Sequence, residues 1–220
     1  MKPRNYKLVS SMVINDDLDL SFSNITEVPD NITINGDLSL YNSKIKKIGK
    51  NLVVKGNCHL SHTPIEELPD NVSIGGNLDL YDSKIKKIGK NLVVKGDLDL
   101  SDAPIEELPD NVNIGGNLDL YFSKIRKIGK NLIVKGSCDL SYTPIEELPD
   151  NVSIGGDLYL FFSNIKRIGE KVTIRGNCDS SYTLIEELPD DMTISSSLII
   201  NKEQYKIFKK YENKYKIKVI

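Results

Sequence analysis

Cysteine is scarce in this chain and never paired in spacing: Cys58, Cys138 and Cys178 are the only three. No disulfide framework can be built from them, which fits a reducing compartment. Each falls where neighbouring units carry leucine, so the thiols are expected to act as small buried hydrophobes. Histidine is as rare, with only His59 and His62. No nucleophile, base and acid stand in catalytic spacing, and no phosphate-binding glycine loop precedes a helix. The chain is therefore not expected to be an enzyme, and no cofactor or metal is expected. Long apolar runs are missing, since nothing approaches the roughly eighteen residues of a membrane span. The first residues lack a continuous apolar core and a cleavage site, so no signal peptide is expected. A cytoplasmic location follows, with delivery into a host cell left open. A basic excess is lacking too. Formal net charge is -2, which speaks against a general nucleic-acid binder.

What the chain has instead is a unit of twenty residues, and such a period should be sought before any other feature. Residues 98–116 read LDLSDAPIEELPDNVNIGG, and the same grammar returns from 18 to 200. Six positions per unit are apolar, in this unit Leu98, Leu100, Ile105, Leu108, Val112 and Ile114. Leu98 and Leu100 alternate with polar neighbours, as do Val112 and Ile114. That is strand periodicity. Between them Pro109, or Gly89 and Gly129 in alternate units, predicts a turn. A glycine before each first strand, such as Gly96 or Gly116, predicts a tight corner with positive φ. Each unit then forms one coil of a parallel solenoid, with coils stacked roughly 4.8 Å apart. An in-register asparagine column, Asn31 to Asn151, predicts an amide ladder from coil to coil.

Charge reveals a second period of forty. SKIKKIGKN alternates with TPIEELPDN, so Lys86 lies between Glu66 and Glu106, and Lys87 between Glu67 and Glu107. Opposite charges on neighbouring coils would fix their register, because slipping one coil sets like on like. The ends differ from the middle. Residues 1–17 hold a partial unit and predict an N-terminal cap. Residues 18–200 form the solenoid, and 201–220 predict a C-terminal cap. There Tyr205, Phe208 and Tyr211 recur at helical spacing, predicting about three turns of amphipathic helix, with KIKVI as a further strand. Terminal units of a solenoid must differ to cover its open end.

The stretch GDLDLSDAPIEELPDNV resembles the leucine-rich repeat, most closely its short bacterial or phage type of about twenty residues ending in leucine-proline. The pattern rests on Leu98, Leu100, Ile105, Leu108, Pro109 and Val112 and recurs through most of the chain. Two departures stand out. Ser83, Ala103, Ser123 and Thr143 replace the usual asparagine, and Lys95 or Gly115 replaces the first leucine. A flatter, two-sided β-solenoid is the alternative. The fold class read here is a mainly β repeat solenoid of leucine-rich-repeat type, about ten coils with a capping helix. The resemblance implies protein binding through the exposed residues of the strand face.

Two columns flank that face. Asp99, Asp119 and Asp139 follow one another in the first, where stacked like charges repel and suit a basic partner surface. The alternative is a solvated acidic face. In the second and beside it, Tyr121, Phe122, Tyr142, Phe161, Phe162 and Tyr182 crowd the C-terminal half, and Tyr159 interrupts the acidic column. Exposed aromatics mark interaction hot spots; turned inward, the same rings would only pack a corner. The candidate partner-binding set is Asp99, Asp119, Asp139, Tyr121, Phe122, Tyr142, Tyr159, Phe161 and Phe162. Its partner is expected to be a protein, not nucleic acid or membrane. Self-association through an outward face of Val53, Val93 and Ile133 is a structural alternative, and small-ligand sequestration at the aromatics a third.

Overall fold

The computed structural model describes residues 8–220; the start of the expected N-terminal cap, residues 1–7, lies outside them. The chain winds as a parallel β-solenoid with a register of twenty residues throughout. Leu98 pairs with Leu118, and Leu118 with Cys138. One wall is an eleven-stranded sheet that runs from Leu18–Asp19 to Ser197–Ile200 and closes on Lys216–Val219. A second wall is a ten-stranded sheet from Val13–Ile14 to Thr193–Ile194. All six apolar columns turn inward; in the unit quoted above, Leu98, Leu100, Ile105, Leu108, Val112 and Ile114 are all buried. Each such side chain contributes roughly 1.5–3 kcal/mol by leaving water. Ser83, Ala103, Ser123 and Thr143 are buried as well. Thr143 satisfies its hydroxyl by donating to the Leu140 carbonyl at 2.6 Å.

The stretch expected to be only a turn carries a third wall, and that wall is not continuous. Glu67–Leu68 pairs with Lys87–Ile88, Glu107–Leu108 with Lys127–Ile128, and Glu147–Leu148 with Arg167–Ile168. No strand pairing joins one couple to the next. Proline is the cause. Gly89 N–H donates to the Leu68 carbonyl at 2.8 Å, and Lys84 N–H to the Thr63 carbonyl at 3.0 Å. The corresponding donors of the acidic coils would come from Pro64 and Pro69 and their equivalents, which have no N–H; the last acidic coil differs, with Leu184 at the first of these positions donating to the Ile165 carbonyl at 3.0 Å. The forty-residue period of the charges is thus also a period of the backbone. An acidic coil and the basic coil after it form a bonded couple, and a seam follows every basic coil.

The glycines overturn their expected role: none has a positive φ among the described residues. They are needed for close approach. A Cβ on Gly96 would lie 2.1 Å from Asn77 Oδ1, and one on Gly89 would lie 2.4 Å from the Pro69 carbonyl carbon. At the first position the space is taken by a side-chain ladder. Asn77 N–H donates to Asn57 Oδ1 at 2.9 Å, Asp97 N–H to Asn77 Oδ1 at 2.8 Å, and the pattern continues along the wall.

Left-handed backbone falls at two other columns. One is the asparagine column, from Asn31 to Asn151, with φ between 58° and 63°. Its amides do form a ladder: Asn51 Nδ2 donates to Asn31 Oδ1 at 2.8 Å and Asn91 Nδ2 to Asn71 Oδ1 at 3.0 Å. Asparagine is among the few residues that tolerate this conformation, so one side chain meets both demands.

At the C-terminal end the helix is shorter than its periodicity suggests. One α-turn spans Tyr205–Phe208 and a 3-10 turn spans Lys209–Tyr211. Phe208, Tyr211 and Tyr215 are buried against the last coil. Polar side chains of the cap bond to the backbone of the coils they cover. Tyr215 Oη donates to the Met192 carbonyl at 2.7 Å, and Gln204 Nε2 donates to the Ser180 carbonyl at 2.9 Å. No described helix is long and apolar enough to cross a membrane.

Candidate functional site: an aromatic strip beside an acidic column

The acidic column lies on the eleven-stranded wall. Asp79, Asp99, Asp119, Asp139, Tyr159 and Asp179 are partners in consecutive register. Each aspartate ends its short strand by accepting a main-chain N–H two residues on. Asp99 Oδ1 takes Ser101 N–H at 2.9 Å, Asp119 takes Tyr121 at 2.9 Å and Asp139 takes Ser141 at 2.8 Å. These are Asx turns, in which aspartate is favoured for local reasons. One carboxylate oxygen per coil is thereby committed to the fold, a use that the sequence alone did not reveal. The like charges do act on one another. Partial burial raises the pKa of Asp119 above its ordinary 3.8, the Tyr121 N–H opposes this, and Asp99, Asp139 and Asp102 raise it further.

Beyond the turn the chain makes a left-handed step in nearly every coil. The residues there are Phe22, Asn42, His62, Asp82, Asp102, Phe122, Tyr142, Phe162 and Tyr182, with φ from 46° to 58°. In the C-terminal half these positions form a strip of rings. Phe122 contacts Tyr142 at 5.6 Å between centroids, Tyr142 contacts Phe162 at 5.4 Å, and Phe162 stacks on Tyr182 at 4.7 Å. Tyr121 and Phe161 of the preceding column fill in edge-on, Tyr121 against Tyr142 at 5.6 Å and Phe161 against Phe162 at 4.5 Å. Phe122 is 55 % exposed, and Phe162 and Tyr182 are each 46 % exposed. Ser101, Ser141 and Ser181, which alternate with Tyr121 and Phe161, are buried. Small residues in every second coil let the larger rings spread sideways.

Of the nine residues proposed from sequence, the structure gathers Tyr121, Phe122, Tyr142, Phe161 and Phe162 into this strip. Asp99, Asp119 and Asp139 form the column beside it. Tyr159 stands apart: its hydroxyl donates to Asp157 Oδ2 at 3.0 Å, and its ring joins none of the aromatic pairs. Tyr182 belongs to the strip and was not in the set, though its spacing of twenty from Phe162 was the available signal. A second cluster was missed. Phe22, Tyr41, His62 and Tyr81 meet edge to face at 5.2–5.5 Å. Asp82, Ser101 and Asp102 separate the two clusters along the chain.

Elsewhere the surface is quieter. Val93 and Ile133 point outward from the second wall, and Val53 is half-buried. The three thiols are buried. Burial, with a smaller contribution from the adjacent aspartate, pushes Cys58 and Cys178 up to about 12. Those thiols are protonated at neutral pH and act as core. Comparison with protein-family models, curated proteins and solved structures finds no match to this chain.

Proposed function

We propose that the chain is a non-enzymatic binding module of leucine-rich-repeat type that takes a protein partner on its C-terminal aromatic strip. The observation that carries this reading is the backbone beneath the rings. The left-handed step belongs to the coil, and Asn42, Asp82 and Asp102 are residues that meet it at little cost. Phe122, Tyr142, Phe162 and Tyr182 are not, and a bulky side chain there costs roughly 1–2 kcal/mol. Ring contacts return about 0.5–1.5 kcal/mol per pair. The ring contacts offset the strain without explaining the exposure: asparagine would meet the step with no strain, and rings left facing solvent in register offer a surface to a contact outside the chain. Exposed clustered aromatics suit a hot spot, and the free Oδ2 atoms of Asp99, Asp119 and Asp139 would favour a basic partner surface.

The test uses a triple variant, Phe122→Asn, Tyr142→Asn and Phe162→Asn. Asparagine fits the backbone, so the variant should fold. A protein captured from the source-cell lysate by wild type, and not by a variant of equal or higher thermal stability, supports the reading. Equal capture removes the strip from the function. A second reading rests on Val93 and Ile133: an outward apolar row could join copies side by side. Sedimentation of wild type and of the pair Val93→Ser, Ile133→Ser separates them, since only the second reading expects assembly that the pair abolishes.

A further inference from the structure

The paired charges of the third wall follow a common rule, and Lys46 departs from it for a reason visible in the sequence. The close bridges reach back one coil: Lys86 to Glu66 at 3.0 Å, Lys87 to Glu67 at 2.8 Å, Lys127 to Glu107 at 2.5 Å and Lys166 to Glu146 at 3.0 Å. Lys47 follows the rule, bound to Glu27 at 2.7 Å. Lys46 does not, because Thr26 stands twenty residues before it. Among the described residues no carboxylate lies within 4.0 Å of Lys46, and the same holds for Lys50 and Lys84.

These three lysines line one groove of about 740 Å³ at the first seam, between residues 46–50 and 64–69. Ile48, Pro64 and Pro69 give it an apolar lining. The carboxylates at its rim are engaged. Glu66 and Glu67 hold Lys86 and Lys87, and Asp30 Oδ1 accepts the main-chain N–H of Lys50 at 2.8 Å. The seam also frees donors. One coil on, the N–H groups of Lys86 and Lys87 both donate back to the Glu66 carbonyl, at 2.8 and 3.3 Å. The N–H groups of Glu66 and Glu67 make no such bond to the coil before them. The later seams lack this combination: Lys86 is held by Glu66, Asp150 approaches Lys130 at 3.9 Å, and Asn164 replaces the lysine of Lys84.

We infer that this groove binds a small phosphorylated molecule with an apolar body. Its volume lies in the range of small-molecule sites, which pair apolar walls with a few placed polar groups. Three lysines present point charges suited to a phosphate dianion. The proline rings suit the body of the ligand, and the two main-chain N–H groups add donors that nothing among the described residues satisfies.

The probes are ATP without metal, adenosine and inorganic phosphate, each titrated while the amide resonances of Lys50, Glu66 and Glu67 are followed by NMR. Saturable shifts with ATP, much weaker with adenosine or phosphate alone, are expected. Thr26→Glu gives Lys46 the glutamate that stands twenty residues before Lys86, Arg126 and Lys166, and should weaken ATP binding about tenfold, the equivalent of one charge-assisted bond. Lys84→Ala should do the same, and Lys124→Ala, at the next seam, should leave binding unchanged. If melting shows that Thr26→Glu disturbs the fold, Lys46→Ala replaces it in the comparison. The inference is overturned if ATP produces no saturable shift at Glu66 and Glu67. It is equally overturned if Lys124→Ala weakens binding as much as Lys84→Ala. Phosphate binding as tightly as ATP would overturn the apolar-body part.

Discussion

The rings of Phe162 and Tyr182 stack 4.7 Å apart with 8° between their planes, while both residues hold a left-handed backbone, φ 55° and 58°. The stack holds the rings in place but cannot account for their choice, because asparagine would suit the same step. Phe122, at the N-terminal end of the strip with only tilted ring contacts, gives the cleaner test. Phe122→Asn should change the unfolding free energy by less than about 1 kcal/mol, since relief of roughly 1–2 kcal/mol offsets the lost contacts. A denaturant midpoint lowered by far more would mean that the ring is structural.

The asparagine column predicts the opposite result for a conservative change. Asn71 donates to Asn51 at 3.1 Å and accepts from Asn91 at 3.0 Å, with φ 63°. Asn71→Ala removes both bonds and leaves alanine in a conformation it resists. A loss of about 1–3 kcal/mol is expected by urea unfolding, and Asn71→Gly should recover the backbone share alone.

Glycine in this chain is required for space. A Cβ at Gly89 would meet the Pro69 main chain, both carbonyl atoms at 2.4 Å, where no flexible side chain can give way. Gly89→Ala should therefore destabilise by about 3 kcal/mol, at the upper end for overpacking. If the melting temperature were unchanged, the close approach of the coils at this point would be wrong.

Hydrogen exchange should display the period of forty directly. Amides of Lys87, Lys127 and Arg167 bond back to the preceding acidic coil, at 3.2–3.3 Å. Those of Glu67, Glu107 and Glu147 face a seam with no such bond. The second set should exchange faster than the first at every repeat, since exposed, unbonded amides lie at the low end of local stability. Uniform protection along the wall would remove the seams.

Much of this architecture was legible in the residues. The period, the inward leucine columns, the asparagine ladder and the charge pairing all follow from spacing alone. What escaped depends on neighbours twenty residues away. Pro69 reads as a turn until the carbonyl that its missing N–H would serve is placed beside it. Gly96 reads as a flexible corner until Asn77 Oδ1 occupies the space of its Cβ. The left-handed column was hidden because Phe122 and Tyr142 are poor markers of such backbone, although Asn42 and Asp82 at the same step are good ones. Asp99 and Asp139 looked like binding residues because a turn bond two residues away leaves no periodic signature of its own.

The acidic column carries a pH dependence whose sign can be worked out. The pKa of Asp119 in the folded protein lies above its ordinary 3.8, chiefly through burial and, after the opposing Tyr121 N–H, through Asp99, Asp139 and Asp102. Between the two values the folded chain holds more protons than the unfolded one, so stability falls as pH rises through that window. Above it the full penalty of the charged carboxylate remains. Asp119→Asn keeps an oxygen to accept the Tyr121 N–H at the turn and removes the charge. The variant should melt higher than wild type at pH 7, and the gap should close as pH falls toward 3.8. A gap that stayed constant with pH would assign the gain to packing, and a variant less stable at pH 7 would show that the carboxylate charge is needed by the turn. The comparison bears on binding too, because a column held charged against its own repulsion has reason to meet a basic surface, and one required by the turn does not.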